Sequence, residues 1–110
     1  MITVSFPEIL TCSLHFVVLG HSSVNKGNDI VCAAVSALTQ TFLRGIEKNL
    51  NAEFKGEFLS GKCDLSIEVP EESEKEFKII CEVFRDGFRE IAKAYPEQVK
   101  LNCQEIYHGS

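Results

Sequence analysis

Residues 62–69 alternate without a break: Cys63, Leu65, Ile67 and Val69 are apolar, and Lys62, Asp64, Ser66 and Glu68 between them are polar. Side chains of a strand point to opposite faces in turn, so this segment needs one face on a core and one in water. A sheet built from such strands is covered on one side only, and the cover must come from elsewhere in the chain. Phe77, Ile80, Cys81, Phe84, Phe88, Ile91 and Tyr95 supply it, recurring at helical spacing. The run Pro70-Glu71-Glu72-Ser73-Glu74 opens that helix with acidic side chains suited to the positive end of its dipole, and Pro96 ends it. A Phe-rich stripe of this kind is packing, not a cofactor box.

The remaining segments fit the same scheme. Residues 2–6 are β-prone until Pro7 interrupts them. Residues 12–19 read as a second strand, with Cys12, Leu14, Phe16 and Val18 on one face and Ser13, His15, Val17 and Leu19 on the other. The second face turns apolar towards its end, which predicts cover on both sides there. Residues 20–28 are small and polar with two glycines, and form a loop. Asp29 is placed to cap a helix running from about Ile30 to Asn49, whose first half, IVCAAVSAL, is apolar nearly all round and must be buried against a sheet, a partner subunit or both. Residues 53–59 and 62–69 form a hairpin about Ser60-Gly61. Residues 98–106 are a last strand with Val99, Leu101 and Cys103 inward, and beyond Tyr107 the tail frays, leaving His108 inert. The order β-β-α-β-β-α-β predicts an α+β two-layer sandwich, two helices on one face of a mainly antiparallel sheet, in a single domain over residues 1–110. The other sheet face is then polar or covered by a second chain.

Composition removes several function classes. With 45% hydrophobic and 25% charged residues, the chain is an ordinary soluble globular domain. A net charge of −5 and no Lys/Arg run argue against a grip on nucleic acid. No segment reads as a secretory leader or a membrane span, so a cytoplasmic location with no membrane partner is expected. The five cysteines, Cys12, Cys32, Cys63, Cys81 and Cys103, are odd in number and contain no C-x-x-C pair, so they are expected as free thiols in a reducing compartment. Cys12 and His15 are the only near pair of metal-ligand type, and they read as part of a strand, so neither a metal nor another cofactor is expected.

Cys32 differs from the other four thiols by its place. With Asp29 as the cap, it is the third residue of the helix, beside backbone N–H groups that have no partner within the helix. Those groups and the dipole favour the thiolate, the nucleophilic form, and the same N–H groups can hold a developing oxyanion. His21 closes the strand that leads into the loop, and the intervening chain is long enough to bring imidazole and thiol together as base and nucleophile. Ser36 lies one turn after Cys32 on the same face, and Asp29 can cap the helix or orient His21. From the residues alone two readings stand: a Cys–His nucleophilic centre, or a thiol packed into an apolar helix face with His21 as a loop residue.

The segment Gly20-His21, a short loop, then Gly27-Asn28-Asp29-Ile30-Val31-Cys32-Ala33-Ala34-Val35-Ser36 resembles the ribosomal-processing cysteine protease family Prp. The resemblance implies a homodimeric α+β cysteine-type endopeptidase. Such an enzyme removes an N-terminal extension with an apolar, Phe-containing end from a bacterial large-subunit ribosomal protein, and so needs a hydrophobic subsite. It implies His21 and Cys32 as the catalytic pair and Gly20, Asp29 and Ser36 as supporting residues, with the ribosomal protein precursor as partner. The loop from His21 to Gly27 is one residue shorter than the family's usual loop and lacks its aromatic residue, and Ser22 stands where a small Ala is usual. A non-catalytic ribosome-assembly or peptide-binding module on the same fold is the alternative reading. A redox-sensing thiol is a third, for which the spacing offers no second cysteine as an obvious resolving partner.

Overall fold

The computed structural model of the chain describes residues 1–20 and 30–104. The elements follow the expected order: β1 (Ile2–Ser5), β2 (Ser13–Leu19), α1 (Ile30–Leu50), β3 (Glu53–Leu59), β4 (Lys62–Glu68), α2 (Glu74–Ala94) and β5 (Val99–Asn102), with a single 3-10 turn at Glu71–Ser73 leading into α2. The strands make one five-stranded sheet in the order β3-β4-β2-β1-β5. All pairs are antiparallel except β1 with β5. Each helix carries the chain across one sheet face, α1 from β2 to the β3 edge and α2 from β4 to the β5 edge. The result is the two-layer α+β sandwich.

The core lies between that face and the two helices. Val31, Val35, Phe42, Leu43, Ile46 and Leu50 bury one stripe of α1, and Phe77, Cys81 and Phe88 bury one stripe of α2. Leu14 and Phe16 of β2 and Cys63, Leu65 and Ile67 of β4 meet them from the sheet. Phe6, Phe16, Phe42 and Phe88 form the centre, with the ring centroids of Phe6 5.1 Å from Phe42 and 5.2 Å from Phe16. By length and composition α1 is long and apolar enough to cross a membrane, yet here it is the core helix of the sandwich. Asn51 ends it in the left-handed conformation, φ 56°, with the N–H of Ala52 reaching back to the carbonyl of Ile46. The Tyr95 N–H closes α2 onto Ile91, and Pro96 stops it.

Three side chains depart from the sequence reading. β5 ends at Asn102, so Cys103 lies beyond the strand and is exposed, its Sγ 3.6 Å from Arg89 Nη2, and not inward. Tyr95 caps α2 and is 38% exposed instead of joining the core stripe. Arg85 takes the buried position that an apolar residue would hold. Pro7 stops β1, and Arg85 Nε and Nη2 donate to the carbonyls of Phe6 and Pro7 at 2.9 and 2.8 Å, its guanidinium 5.0 Å over the Phe6 ring.

The far sheet face is mainly polar. His15 and Asp64 meet there at 2.7 Å, and Val17 is buried beside them while Leu19 is partly exposed. Cys12 turns the other way and its thiol donates to Glu74 at the start of α2. The Cys12–His15 near pair is therefore split between the two faces.

Candidate active site

Gly20 ends β2 at φ +97°, a conformation that side-chain-bearing residues rarely adopt. A Cβ there would stand 2.2 Å from the carbonyl oxygen of Met1, so both the backbone angle and the close approach of the chain start demand glycine. Its N–H donates to the carbonyl of Gly61 at 3.0 Å, tying the end of β2 to the β3–β4 turn. His21 follows directly. It lies, with Asp29 and the whole loop between them, outside the described residues, as does His108.

The chain is described again from Ile30, the first residue of α1, so Cys32 is the third residue of that helix. Cys32 is half-buried. Together with Val35, Ser36 and Thr39 it forms a stripe along the N-terminal half of α1, and this stripe walls a cavity of about 180 Å³. Ile2 of β1, Val18 of β2, Gly20 and the β3–β4 hairpin over residues 58–63, Lys62 included, complete it. The structure therefore brings Gly20, Cys32 and Ser36 to one place. Ser36 itself is exposed and accepts a hydrogen bond from Gln40 Nε2 at 2.9 Å.

The cavity is chiefly apolar, and an engineered apolar cavity of about 150 Å³ holds a benzene ring, so this one has room for one side chain of a bound peptide. Phe58 and Leu59, 51% and 59% exposed, form an apolar lip on the hairpin side. Large apolar side chains left open around a pocket mark a binding surface.

The other thiols are set apart by their surroundings. Burial, with the adjacent Asp64 carboxylate, pushes Cys63 up to about 12. Burial does the same to Cys81, against the opposing charge of Arg85. Desolvation and the hydrogen bond to Glu74 also raise Cys12. Those three stay protonated at neutral pH and are poor nucleophiles. His15 sits on the sheet face opposite the helices, away from Cys32.

The sequence profile of the cysteine protease Prp family matches residues 1–100. The chain belongs to that family. Among solved structures, the essential ribosomal processing protease Prp from Staphylococcus aureus, in complex with a covalently linked product peptide, is 22% identical. It superposes with a TM-score of 0.74, covering 94% of this chain and 100% of that one. The same enzyme in complex with a substrate peptide gives 21% identity and a TM-score of 0.71 over the same shares. A protein from Streptococcus mutans is 24% identical with a TM-score of 0.72, covering 94% of each chain. At these identities the likeness is one of fold. No curated protein sequence matches the chain.

Within the Prp fold, three features of the cavity escaped the sequence reading. Thr39, Phe58 and Cys63 line it beside Cys32. Thr39 had a signal, since it stands two helical turns after Cys32 on the face that carries Ser36. Phe58 and Cys63 had none, because only the pairing of β4 with β2 brings the hairpin beside α1.

Proposed function

We propose that this chain is a cysteine endopeptidase that removes the N-terminal extension of a bacterial large-subunit ribosomal protein in the cytoplasm, with His21 and Cys32 as its catalytic pair. One observation carries the reading: the thiol in the first turn of α1 opens onto an apolar cavity sized for one substrate side chain. Membership of the cysteine protease Prp family supports it.

The chemistry follows from the residue types. The imidazole of His21 takes the proton of Cys32, and the thiolate attacks the scissile carbonyl. Negative charge on the carbonyl oxygen is met by unpaired N–H groups at the start of α1. The peptide C–N bond breaks as His21 returns the proton to the leaving amine, which is the new N-terminus of the ribosomal protein. A thioester remains on Cys32. Water, deprotonated by His21, hydrolyses it and frees the extension. Asp29 orients His21 or caps the helix, Ser36 supports the thiolate side, and Gly20 sets the chain direction into His21. No metal or cofactor enters these steps.

A homodimer is part of the same proposal. The first half of α1 leaves Ile30, Ala33 and Ala37 exposed, and α2 leaves Ile79 and Val83 exposed one turn apart, apolar surface that a second copy would cover. Sedimentation at high concentration tests it, and a species of 12.3 kDa alone contradicts it.

The direct test is cleavage of the organism's own ribosomal protein precursor. Wild type and Cys103→Ala cleave it, and Cys32→Ala does not. Cleavage by Cys32→Ala overturns the reading. A wild type that binds the precursor without cutting it makes the chain a peptide-binding module.

A further inference from the structure

A second open cleft, of about 280 Å³, lies between α1 and β3. Leu43, Phe54, Phe58 and Leu65 make its apolar part, and Gln40, Arg44 and Glu47 its polar rim. Phe58 lines both this cleft and the Cys32 cavity. The two are joined on the helix side as well, where Gln40 of the second cleft donates to Ser36 of the first at 2.9 Å. Cys32, Ser36, Gln40, Leu43 and Glu47 recur at steps of three and four residues, so one face of α1 walls the pair. The two clefts form one groove that starts at Cys32.

The other wall of the groove is an open strand edge. β3 is outermost in the sheet and pairs with β4 alone. Among the described residues its main chain makes no backbone hydrogen bond outside that pairing. Natural edges are usually blunted by a short strand, a Pro, charges or a covering segment. Here the strand is seven residues long without Pro, and its charges, Glu53, Lys55 and Glu57, alternate onto the far sheet face. The row on the α1 side is Phe54, Gly56 and Phe58. Gly56 leaves a gap between the two rings, and Leu65, its partner across the ladder, forms the floor.

We infer that the substrate's chain adds as a strand to the edge of β3, with one apolar side chain in the cleft between Phe54 and Phe58. Strand addition of this kind takes its affinity from main-chain hydrogen bonds and its selectivity from notches for alternate side chains. The inference rests on the proposed peptide-cleaving role of Cys32 and names how the same site holds its substrate. Arg44 and Glu47 bring opposite charges to the rim, so the cleft favours neither sign. Lys62, at the Cys32 end, is already paired with Glu57 at 2.8 Å. Position follows from helix geometry. From Cys32 to Leu43 the helix advances about 16 Å at ~1.5 Å per residue. An extended peptide covers that distance in about five residues at ~3.3 Å each. The selected side chain is therefore about five residues from the scissile bond.

The test is binding of peptides that span the cleavage junction of the ribosomal protein precursor and reach well past it on both sides. Binding is measured in the Cys32→Ala background, so it does not depend on catalysis. In one series each peptide position is replaced by Ala, and in a second each amide is N-methylated. One apolar position, about five residues from the scissile bond, should lose about tenfold in affinity as Ala, the worth of half-burying a large apolar side chain. Around it, N-methylation should weaken binding about threefold to tenfold at every second residue, the worth of one main-chain hydrogen bond. Both series leave the protein unchanged, so misfolding cannot produce the pattern. Phe54→Ala should erase the difference between the parent peptide and that Ala peptide, which a mere loss of stability would not do. A scan without such an apolar position overturns the inference, and so does N-methylation tolerated along the whole peptide. Loss of a dimer in Phe54→Ala also overturns it, because a second copy is then the occupant of the cleft. If the binding pattern appears but wild type cuts none of the peptides, the groove stands and the protease reading alone fails.

Discussion

Replacing Gly20 with alanine tests the link between the fold and the site. The new Cβ would lie 2.2 Å from the Met1 carbonyl oxygen and has to retreat by about 0.8 Å to reach the 3.0 Å below which real Cβ contacts essentially never fall. The φ of +97° adds the left-handed penalty of an L-residue, about 1–2 kcal/mol. The retreat pushes on the start of β1, which is paired with β2 from Thr3 opposite Leu19 and with β5 from Ile2 opposite Val99. Forced local movement of this kind costs a further ~1–3 kcal/mol, giving about 2–5 kcal/mol in all. Urea unfolding measures it. Gly45→Ala is the internal control: it lies within α1, nothing stands within 4 Å of the added Cβ, and helix propensity favours alanine by about 0.8–1.0 kcal/mol. The two glycine-to-alanine changes must therefore move stability in opposite directions. Gly20→Ala as stable as wild type would refute the claim that the backbone at the end of β2 requires glycine. Because Gly20 lines the cavity beside Cys32, the same variant is expected to cleave peptide poorly even where it remains folded.

Two further predictions concern buried groups. Cys63 and Cys81 are held at about 12 when folded, against 9.0 in the unfolded chain. The unfolded chain then loses those protons first, so their stabilising contribution is complete below pH 9 and is lost as pH rises from 9 towards 12. Stability should fall by roughly 1.4 kcal/mol per pH unit for each thiol in that window. Cys63→Ala should roughly halve the slope, and a flat urea-midpoint profile between pH 8 and 10.5 contradicts the expectation. Arg85→Met leaves the carbonyls of Phe6 and Pro7 without their donors and should cost about 3–5 kcal/mol, with Arg85→Lys recovering only part because an ammonium cannot fork to both. A loss below about 1 kcal/mol by urea unfolding would show that water replaces the guanidinium.

Local periodicity made much of the fold legible. The alternation of residues 62–69, the Phe stripe of α2 and the Ser60-Gly61 turn each appear close to where they were expected, and so does the start of α1. What local pattern cannot carry is pairing between distant segments. Nothing near Val99 indicates that β5 joins the opposite edge from β3, parallel to β1. Arg85 was invisible for the same reason: its burial depends on two carbonyls 78 and 79 residues away. Cys103 was read as inward by extending the β5 alternation past its last paired residue, Asn102. At the site, Cys32 and Ser36 were legible through helical spacing and Gly20 only through the family resemblance, whereas the hairpin wall of Phe58 and Cys63 required the tertiary fold. His21 and Asp29, singled out by their places at the strand end and the helix cap and again by resemblance, lie outside the described residues.

The measurement closest to the central claim follows alkylation and cleavage together. The folded protein is treated with iodoacetamide at neutral pH. Modification of each cysteine is mapped by mass spectrometry while cleavage of the precursor peptide is assayed in the same samples. Cleavage should fall in proportion to modification of Cys32 and reach zero at one equivalent, with Cys63 and Cys81 unmodified and modification of exposed Cys103 without effect. Full modification of Cys32 with cleavage intact would contradict its role as the nucleophile.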